Sequence, residues 1–201
     1  IHIEDNGVNA QGPPLFVEKY VTVVTTDVNE APYLTDASFT SQENRKQLDV
    51  IGSMVPQYTE IDQVDKPQWQ ITGGNTPDAI FAIGKDDGIL RVANPILNFE
   101  NKRGGKDPVY EVRIQVIDKE DEFAEAWAKV TILNVNERPT ISSLLIAIPE
   151  NTVANTLIGS PMAGFDVDAT HTALIRYSLV DDMLGMFEIH AITGQIKTTN
   201  L

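Results

Sequence analysis

A motif of six residues occurs twice in this chain, 107 positions apart, and this internal repeat limits the possible folds more than any other feature. The segment Asp-Val-Asn-Glu-Ala-Pro at residues 27–32 returns as Asn-Val-Asn-Glu-Arg-Pro at residues 134–139. Gln-Glu-Asn at residues 42–44 returns as Pro-Glu-Asn at residues 149–151, again 107 positions later. This period is far longer than the roughly 20 to 50 residues of a solenoid repeat and matches a domain of about 100 residues. Each repeat is therefore predicted to be a domain.

The same register continues through acidic and apolar positions, which makes a chance origin implausible. Three further pairs lie 106 positions apart: Glu60-Ile61-Asp62 with Asp166-Val167-Asp168, Phe81-Ala82-Ile83 with Phe187-Glu188-Ile189, and Gly88 with Gly194. The repeat phase predicts the C-terminal part of one repeat in residues 1–32, a complete repeat in residues 33–139, and the N-terminal part of a further repeat in residues 140–201. We expect the array to continue in both directions.

Strand patterns dominate the predicted complete repeat. Apolar and polar residues alternate along residues 110–116 and 126–132, whereas helix-length periodic segments are absent. Trp69 and Trp127 lie in strand-like stretches and are predicted to pack in the core. The pattern predicts an all-β fold, namely antiparallel Greek-key β-sandwich repeats in tandem with an immunoglobulin-like architecture. Turn-forming residues separate the predicted strands at residues 73–75, 86–88 and 104–105.

The composition excludes several classes of protein. The net charge is −14, with 15 basic and 29 acidic residues, so nucleic acid is not an expected partner and cations are. The absence of cysteine excludes disulfides and thiolate zinc sites. No apolar run approaches the roughly 18 residues of a membrane span, so contact with a membrane is expected only through segments outside this sequence.

Catalytic patterns are also lacking, and the chain is predicted not to be an enzyme. No Ser/His/Asp order, phosphate-binding Gly-rich loop or His-based metal motif is present. The three histidines, His2, His171 and His190, are predicted to lie on the surface or in loops. Asp86 and Asp87 precede a glycine and indicate a hairpin turn rather than a glycosidase acid pair.

The ordered acidic motifs resemble those of the cadherin repeat. That family combines a Pro-Glu-Asn-like motif, an Asp-x-Asp motif, a Leu-Asp-x-Glu motif, an Ala-x-Asp motif and an Asp-x-Asn-Asp-Asn linker. Each motif alone is weak, but the ordered set at a 107-residue period is specific and covers essentially the whole chain. The corresponding positions are Glu43, the pair Glu60 and Asp62, residues 97–100, Asp118, and two linkers at residues 27–31 and 134–138.

The resemblance implies Ca²⁺ sites at the junctions between consecutive repeats, where bound ions stiffen the joint. Ca²⁺ is a hard cation that takes six to eight oxygen ligands, which carboxylates, amide oxygens and backbone carbonyls can supply. For the junction of the second and third repeats, the implied ligands are Glu43, Asn98, Glu100, Asn136, Glu137, Asp166 and Asp168, with the carbonyls of Val135 and Arg138. For the junction of the first and second repeats, they are Asp27, Asn29, Glu30, Glu60, Asp62 and Asp118, with the carbonyls of Val28 and Ala31. Asp5 and Glu150 indicate further junctions outward on each side.

Three positions depart from the family pattern. Asn98 and Asn134 stand where aspartate is usual, and Glu60 replaces the first aspartate of Asp-x-Asp. Asparagine keeps a carbonyl oxygen but loses a charge, and ligand charge tunes calcium affinity. We therefore expect the second junction to bind calcium more weakly, or to hold fewer ions, than the first.

The resemblance implies calcium-dependent cell adhesion or recognition by an extended ectodomain, located outside the cell or at its surface. The expected partners are calcium ions and another protein, or further copies of the same protein, engaged through the repeats. The alternative is a structural spacer or filament component of an extracellular assembly, without homophilic adhesion. The acidic loops could also simply be solvated, but carboxylates that converge on one junction repel one another unless a cation is present.

Overall fold

The computed structural model describes residues 1–5, 13–62, 66–75, 77–101, 108–168 and 174–200. Helical structure in these ranges is limited to one 3₁₀ turn, Val55–Gln57, and to the single 3₁₀ residue Leu174. The strands are β1 (His2–Glu4), β2 (Phe16–Glu18), β3 (Tyr33–Leu34), β4 (Ala37–Gln42), β5 (Val50–Ser53), β6 (Tyr58–Thr59), β7 (Gln68–Gly73), β8 (Phe81–Ile83), β9 (Ile89–Val92), β10 (Val109–Ile117), β11 (Phe123–Leu133), β12 (Thr140–Ile141), β13 (Leu157–Ile158), β14 (Gly164–Phe165), β15 (Phe187–Ile189) and β16 (Ile196–Thr198).

Two sheets in the middle of the chain share one hydrophobic core. The larger sheet has the strand order β4-β11-β10-β7, the smaller has the order β5-β9-β8, and β3 pairs with β6. The strands pair antiparallel, except that β4 lies parallel to β11. The prediction of an all-β antiparallel sandwich is confirmed, with this parallel pair as the exception.

Period-two alternation decides which side chains enter the core. In β10 the buried residues are Val112, Ile114 and Val116, and in β11 they are Ala126, Ala128, Val130 and Ile132. Side chains of the smaller sheet, such as Leu90 and Val92, join the same cluster. Burial of one such aliphatic side chain contributes roughly 1.5 to 3 kcal/mol, so the core is the main source of stability.

The prediction for the two tryptophans is correct for one and wrong for the other. Trp69 is 3% exposed and packs edge-to-face on Tyr58, with ring centroids 5.6 Å apart. Trp127 is 44% exposed and lies on the outer face of β11, with the Arg113 guanidinium 5.9 Å from its ring centroid. Its neighbours Ala126 and Ala128 are buried, and in a strand that alternation directs residue 127 outward.

The repeat found in the sequence recurs in the strand pairing. The β12–β14 pair matches β3–β6, because Thr140↔Phe165 corresponds to Tyr33↔Thr59. The β13-β16-β15 sheet matches β5-β9-β8 in the same way. The β1–β2 hairpin repeats the turn end of β10–β11, since His2↔Glu18 corresponds to Gln115↔Glu125. The division of the chain at residues 32 and 139 remains a prediction.

The predicted turns are present wherever the structure describes them. Gly74 has φ +75° at the end of β7, and Gly88 has φ +60° between β8 and β9. Asp87 in the second turn forms a 2.7 Å ion pair with Arg91, which supports the hairpin interpretation. His2 lies exposed in β1 and His190 in an exposed loop. The third turn, at residues 104–105, and His171 lie outside the described residues.

Candidate metal centre

Three glutamates from distant parts of the chain meet at one end of the sandwich. One carboxylate oxygen each from Glu43, Glu100 and Glu137 lies within 4.8 Å of the others. The parallel pairing of β4 and β11 explains part of this convergence, because Gln42 lies opposite Leu133 and both strands therefore end at the same edge. Glu43 directly follows β4, while Glu137 lies in the linker just after β11.

Glu43 holds the other two segments in place. Its side chain is 2% exposed, Oε1 accepts a 2.7 Å hydrogen bond from the Val135 N–H, and Oε2 accepts one of 2.7 Å from the Phe99 N–H. The loop that carries Glu100 and the linker that carries Glu137 are thus fixed to one carboxylate. Leu97, 2% exposed, anchors that loop in the core.

Glu100 and Glu137 each keep one buried oxygen, Oε2, that accepts no hydrogen bond from the described residues. Burial raises the pKa of Glu100 above its usual value, and the charges of Glu43 and Glu137 raise this pKa further. Two charges 4.8 Å apart repel by roughly 3 kcal/mol at an effective dielectric constant of about 20. Without a counter-ion, repulsion among the ionised carboxylates therefore destabilises the arrangement of the cluster.

Two buried aspartates after the linker adjoin this cluster. Asp168 accepts a 2.9 Å hydrogen bond from the Glu137 N–H at Oδ2 and one of 2.8 Å from the Asn134 side-chain amide at Oδ1. Asp166 accepts a 3.0 Å hydrogen bond from the Asp168 N–H. The predicted ligands Asp166 and Asp168 are thus tied to the linker beside Glu137.

The first linker repeats this arrangement. The Glu30 N–H donates to Asp62 Oδ2 at 3.0 Å, as the Glu137 N–H does to Asp168. The Asp62 N–H in turn donates to Glu60 Oε1 at 3.3 Å. Both junctions therefore place the second acid of the Asp-x-Asp-like motif against the linker backbone.

Asp118 is held in the first junction by donors on several sides. Asn29 donates a 2.8 Å hydrogen bond to Oδ2, and the N–H groups of Glu120 and Glu122 donate to Oδ1. Burial alone would raise the pKa of Asp118, but these hydrogen bonds outweigh burial and hold the pKa below its usual value. Asp118 is thus held in its charged form.

Asp5 reproduces this local geometry near the start of the chain. Its Oδ1 accepts a 3.1 Å hydrogen bond from the Leu15 N–H, just as Asp118 Oδ1 accepts one of 2.9 Å from the Glu122 N–H. The Asp5 N–H also donates to the Leu15 carbonyl at 2.9 Å. Asp5 therefore occupies the position that corresponds to Asp118.

Several other predicted ligands lie outside the cluster of three glutamates. Asn98 uses its amide oxygen to accept the Asn101 N–H at 2.8 Å within its own loop, and the exposed Asn136 donates to the Glu137 carbonyl at 3.4 Å. Asp27 and Glu150 are exposed. These two side chains and the carbonyls of Val28, Ala31, Val135 and Arg138 remain predicted ligands.

Two asparagines have roles that sequence reasoning missed. The sequence indicates only a missing charge at Asn134, yet the side-chain amide of Asn134 donates to Asp168. Asn44 donates from Nδ2 to Glu137 Oε1 at 2.7 Å. The signal available in the sequence was the recurrence of Asn44 as Asn151, both directly after a motif glutamate.

The donor set of the cluster fits calcium. All three groups are carboxylates, which suit hard cations, and the cluster includes no histidine. Two oxygens on opposite sides of an ion at about 2.4 Å are about 4.8 Å apart, so oxygens with these separations can share one calcium shell.

Comparison with known proteins finds relatives in sequence and in fold. No protein-family model matches the chain. The chain is 29% identical over 143 residues to a Fat-like cadherin-related tumor suppressor homolog of Drosophila melanogaster, and 30% identical over 120 residues to human Protocadherin Fat 1. These alignments cover 69% and 58% of the chain but only 3% and 2% of the relatives.

Solved structures agree with these sequence relatives. A structure of the protocadherin gammaB7 EC3-6 cis-dimer has a TM-score of 0.60 and 17% identity, with 99% of this chain and 49% of that chain covered. Human protocadherin-24 EC1-2 has a TM-score of 0.58 and 19% identity, with coverage of 86% and 79%. In sequence and in fold, the chain is similar to cadherin repeats. The resemblance predicted from the acidic motifs is thereby confirmed.

The cadherin likeness bears on location and on function. Solved structures similar in fold include a protocadherin extracellular domain and a desmocollin ectodomain, and the predicted extracellular or cell-surface location agrees with them. The sequence relatives are cadherins, which agrees with the prediction that the chain is not an enzyme. No helix in the described part of the chain has the length and apolar character needed to span a bilayer.

Proposed function

We propose that this cadherin-like chain binds Ca²⁺ at its junctions, and that bound calcium stiffens an extended ectodomain used in adhesion or recognition. The observation that supports calcium binding most strongly is the convergence of Glu43, Glu100 and Glu137 within 4.8 Å. Simple solvation of acidic loops does not account for it, since Glu43 is buried and two of the glutamate oxygens are buried without a donor among the described residues.

In this proposal each residue type has a distinct role. Glu43 joins the loop and the linker through its two backbone hydrogen bonds, while Glu100 and Glu137 direct negative charge into the same space. Asp166 and Asp168 add the segment after the linker through the contacts of Asp168. When bound, calcium supplies the positive charge that offsets the repulsion among these groups.

The effect on shape is expected to exceed the effect on stability. Extracellular calcium modules have dissociation constants near 10⁻⁴ to 10⁻³ M, so a site with a Kd of about 10⁻⁴ M at about millimolar calcium adds roughly 1.4 kcal/mol. The same contacts, however, join two repeats across a linker and restrict their relative motion. We therefore propose that the chain changes from a flexible to a stiff rod.

Calcium titration of the whole chain by isothermal titration calorimetry tests the binding step. We expect saturable binding with a Kd near 10⁻⁴ M and a clear loss of affinity in Glu137→Gln. Glu111→Gln is the matched control, because it makes the same chemical change on the exposed face of β10. Heats at the level of buffer dilution for the wild type, or equal losses in both variants, would refute the proposal.

Adhesion is tested separately, because a structural spacer or filament component would also bind calcium. Beads coated with the protein are mixed with and without calcium. Calcium-dependent aggregation supports homophilic contact between copies. Calcium binding without aggregation favours another partner protein or the spacer.

A further inference from the structure

Asn44 follows the buried Glu43 at the end of β4 and adopts a left-handed backbone conformation with φ +56°. Asparagine is among the few non-glycine residues that tolerate this conformation. The Asn44 N–H donates to the Leu97 carbonyl at 3.1 Å, which fixes the residue against the loop that leads to Glu100. Its side chain is thereby directed toward the linker.

The Asn44 amide contacts only one oxygen of Glu137. Nδ2 donates to Oε1 at 2.7 Å across 93 residues of sequence, whereas Oε2 of Glu137 is buried and accepts no hydrogen bond from the described residues. A glutamate side chain has three rotatable torsions, and a donor fixed at one oxygen removes much of that freedom. The other oxygen is then available to the cluster with Glu43 and Glu100.

We propose that Asn44 is a positioning residue for calcium: it orients the Glu137 carboxylate and contributes no ligand of its own. This inference rests on the proposed function of the cluster. Mutation of a residue that hydrogen-bonds to a metal ligand typically lowers the metal affinity 10- to 100-fold. We expect an effect near the lower end for Asn44, because Glu137 is only partly buried.

The chain contains its own control for this role. Asn151 follows Glu150 at the equivalent position and also has a positive φ, +59°. Unlike Asn44, its side chain makes no hydrogen bond among the described residues. Asn151→Gly therefore reproduces the backbone part of the change without the loss of a contact to a linker glutamate.

The test compares Asn44→Gly with Asn151→Gly in the whole chain by calcium titration. Glycine accepts the left-handed backbone but lacks the amide. We expect the Kd for calcium to rise about tenfold in Asn44→Gly and to change less than about twofold in Asn151→Gly. An unchanged Kd in Asn44→Gly, with calcium still bound by the wild type, would overturn this inference alone. Failure of the wild type to bind calcium would overturn the proposed function itself.

A double-mutant cycle separates positioning from a general structural effect. If Asn44 acts through Glu137, Asn44→Gly causes no additional loss of affinity in a Glu137→Ala background. A loss as large as that in the wild-type background would contradict the proposal. In the calcium-free wild type, NMR should show slow solvent exchange of the Asn44 side-chain amide, and Glu137→Ala should abolish that protection. Fast exchange in the wild type would count against the hydrogen bond.

Discussion

Repulsion within the glutamate cluster is strongest when the carboxylates are charged and no counter-ion is bound. Glu100 shows this best, since burial and two neighbouring carboxylates raise its pKa while its Oε2 receives no donor among the described residues. The residue that opposes the calcium-free fold is thus the one expected to favour the calcium-bound fold. Substitution of Glu100 should therefore have opposite effects in the two states.

Glu100→Gln should stabilise the calcium-free chain at pH 7, by on the order of 1 kcal/mol, because it removes a repelled charge. The same change should raise the calcium Kd about tenfold, because a charged ligand is lost. Calorimetric unfolding with a chelator and with excess calcium measures both effects. The account would be wrong if Glu100→Gln lowered the melting temperature in the chelator as much as in calcium.

The stability difference between Glu100→Gln and the wild type in the chelator should depend on pH with a definite sign. A folded-state pKa above the unfolded value means that the folded state binds more protons, so the contribution of Glu100 to stability falls as pH rises from about 4.5 through its raised pKa. In the chelator, the gain in the free energy of unfolding that Glu100→Gln gives over the wild type should therefore shrink as pH is lowered through the raised pKa of Glu100 toward about 4.5. Glu111→Gln, with its exposed side chain, is the control.

The two tryptophans should differ sharply in their contribution to stability. Trp69→Ala removes a fully packed ring and should cost about 3 to 5 kcal/mol in the free energy of unfolding. Trp127→Ala removes an exposed ring under Arg113 and should cost only about 1 kcal/mol. Chemical denaturation followed by circular dichroism measures both, and similar losses would contradict the assignment of Trp127 to the outer face.

Among the elements, the parallel pairing of β4 and β11 is the one on which the site depends most. It brings the residue after β4 and the linker after β11 to the same edge of the sheet, where Glu43 accepts the Val135 N–H. Sequence alternation predicts both strands but not their pairing partners, because pairing is decided by tertiary packing. The motif order identified the acids, and the pairing explains why they meet.

The turn between β8 and β9 shows how closely one element depends on glycine. A Cβ at Gly88 would lie 2.8 Å from the Trp69 ring, and the backbone there has φ +60°. Gly88→Ala should cost about 2 kcal/mol or more in the free energy of unfolding. Gly73→Ala is the matched control, since its Cβ would meet Arg113 at an ordinary 3.6 Å. Equal unfolding free energies for the two variants in urea titrations would rule out this explanation.

At the scale of the whole molecule, the sequence predicted the fold class correctly, and its assignment of acids to each junction stays a prediction. The sequence could not predict whether the oxygen or the nitrogen of an asparagine side-chain amide faces its neighbour, because that orientation depends on contacts formed only in the fold. Asn134 donates to Asp168, and Asn98 is engaged in its own loop, so neither behaves simply as a weaker aspartate. The core prediction for Trp127 is wrong because an aromatic side chain favours burial in general, whereas its position in the alternation of β11 directs it outward.

The two junctions should still differ in affinity. Asn98 and Asn134 leave the second junction with fewer charges than the family pattern, so its ions should dissociate at lower chelator concentrations than those of the first. Because residues 1–32 are predicted to be only the C-terminal part of the first repeat, the comparison uses a longer protein with complete repeats on both sides of each linker. In that protein, Asp62→Asn and Asp168→Asn identify which binding step belongs to which junction. If Asp168→Asn removed the tighter step, the predicted order would be reversed.

The most direct test of the calcium site is an anomalous difference map from crystals of the whole chain grown in calcium. The account predicts a calcium peak about 2.3 to 2.6 Å from carboxylate oxygens of Glu43, Glu100 and Glu137. Calcium peaks elsewhere in the map with none among these three carboxylates would contradict it.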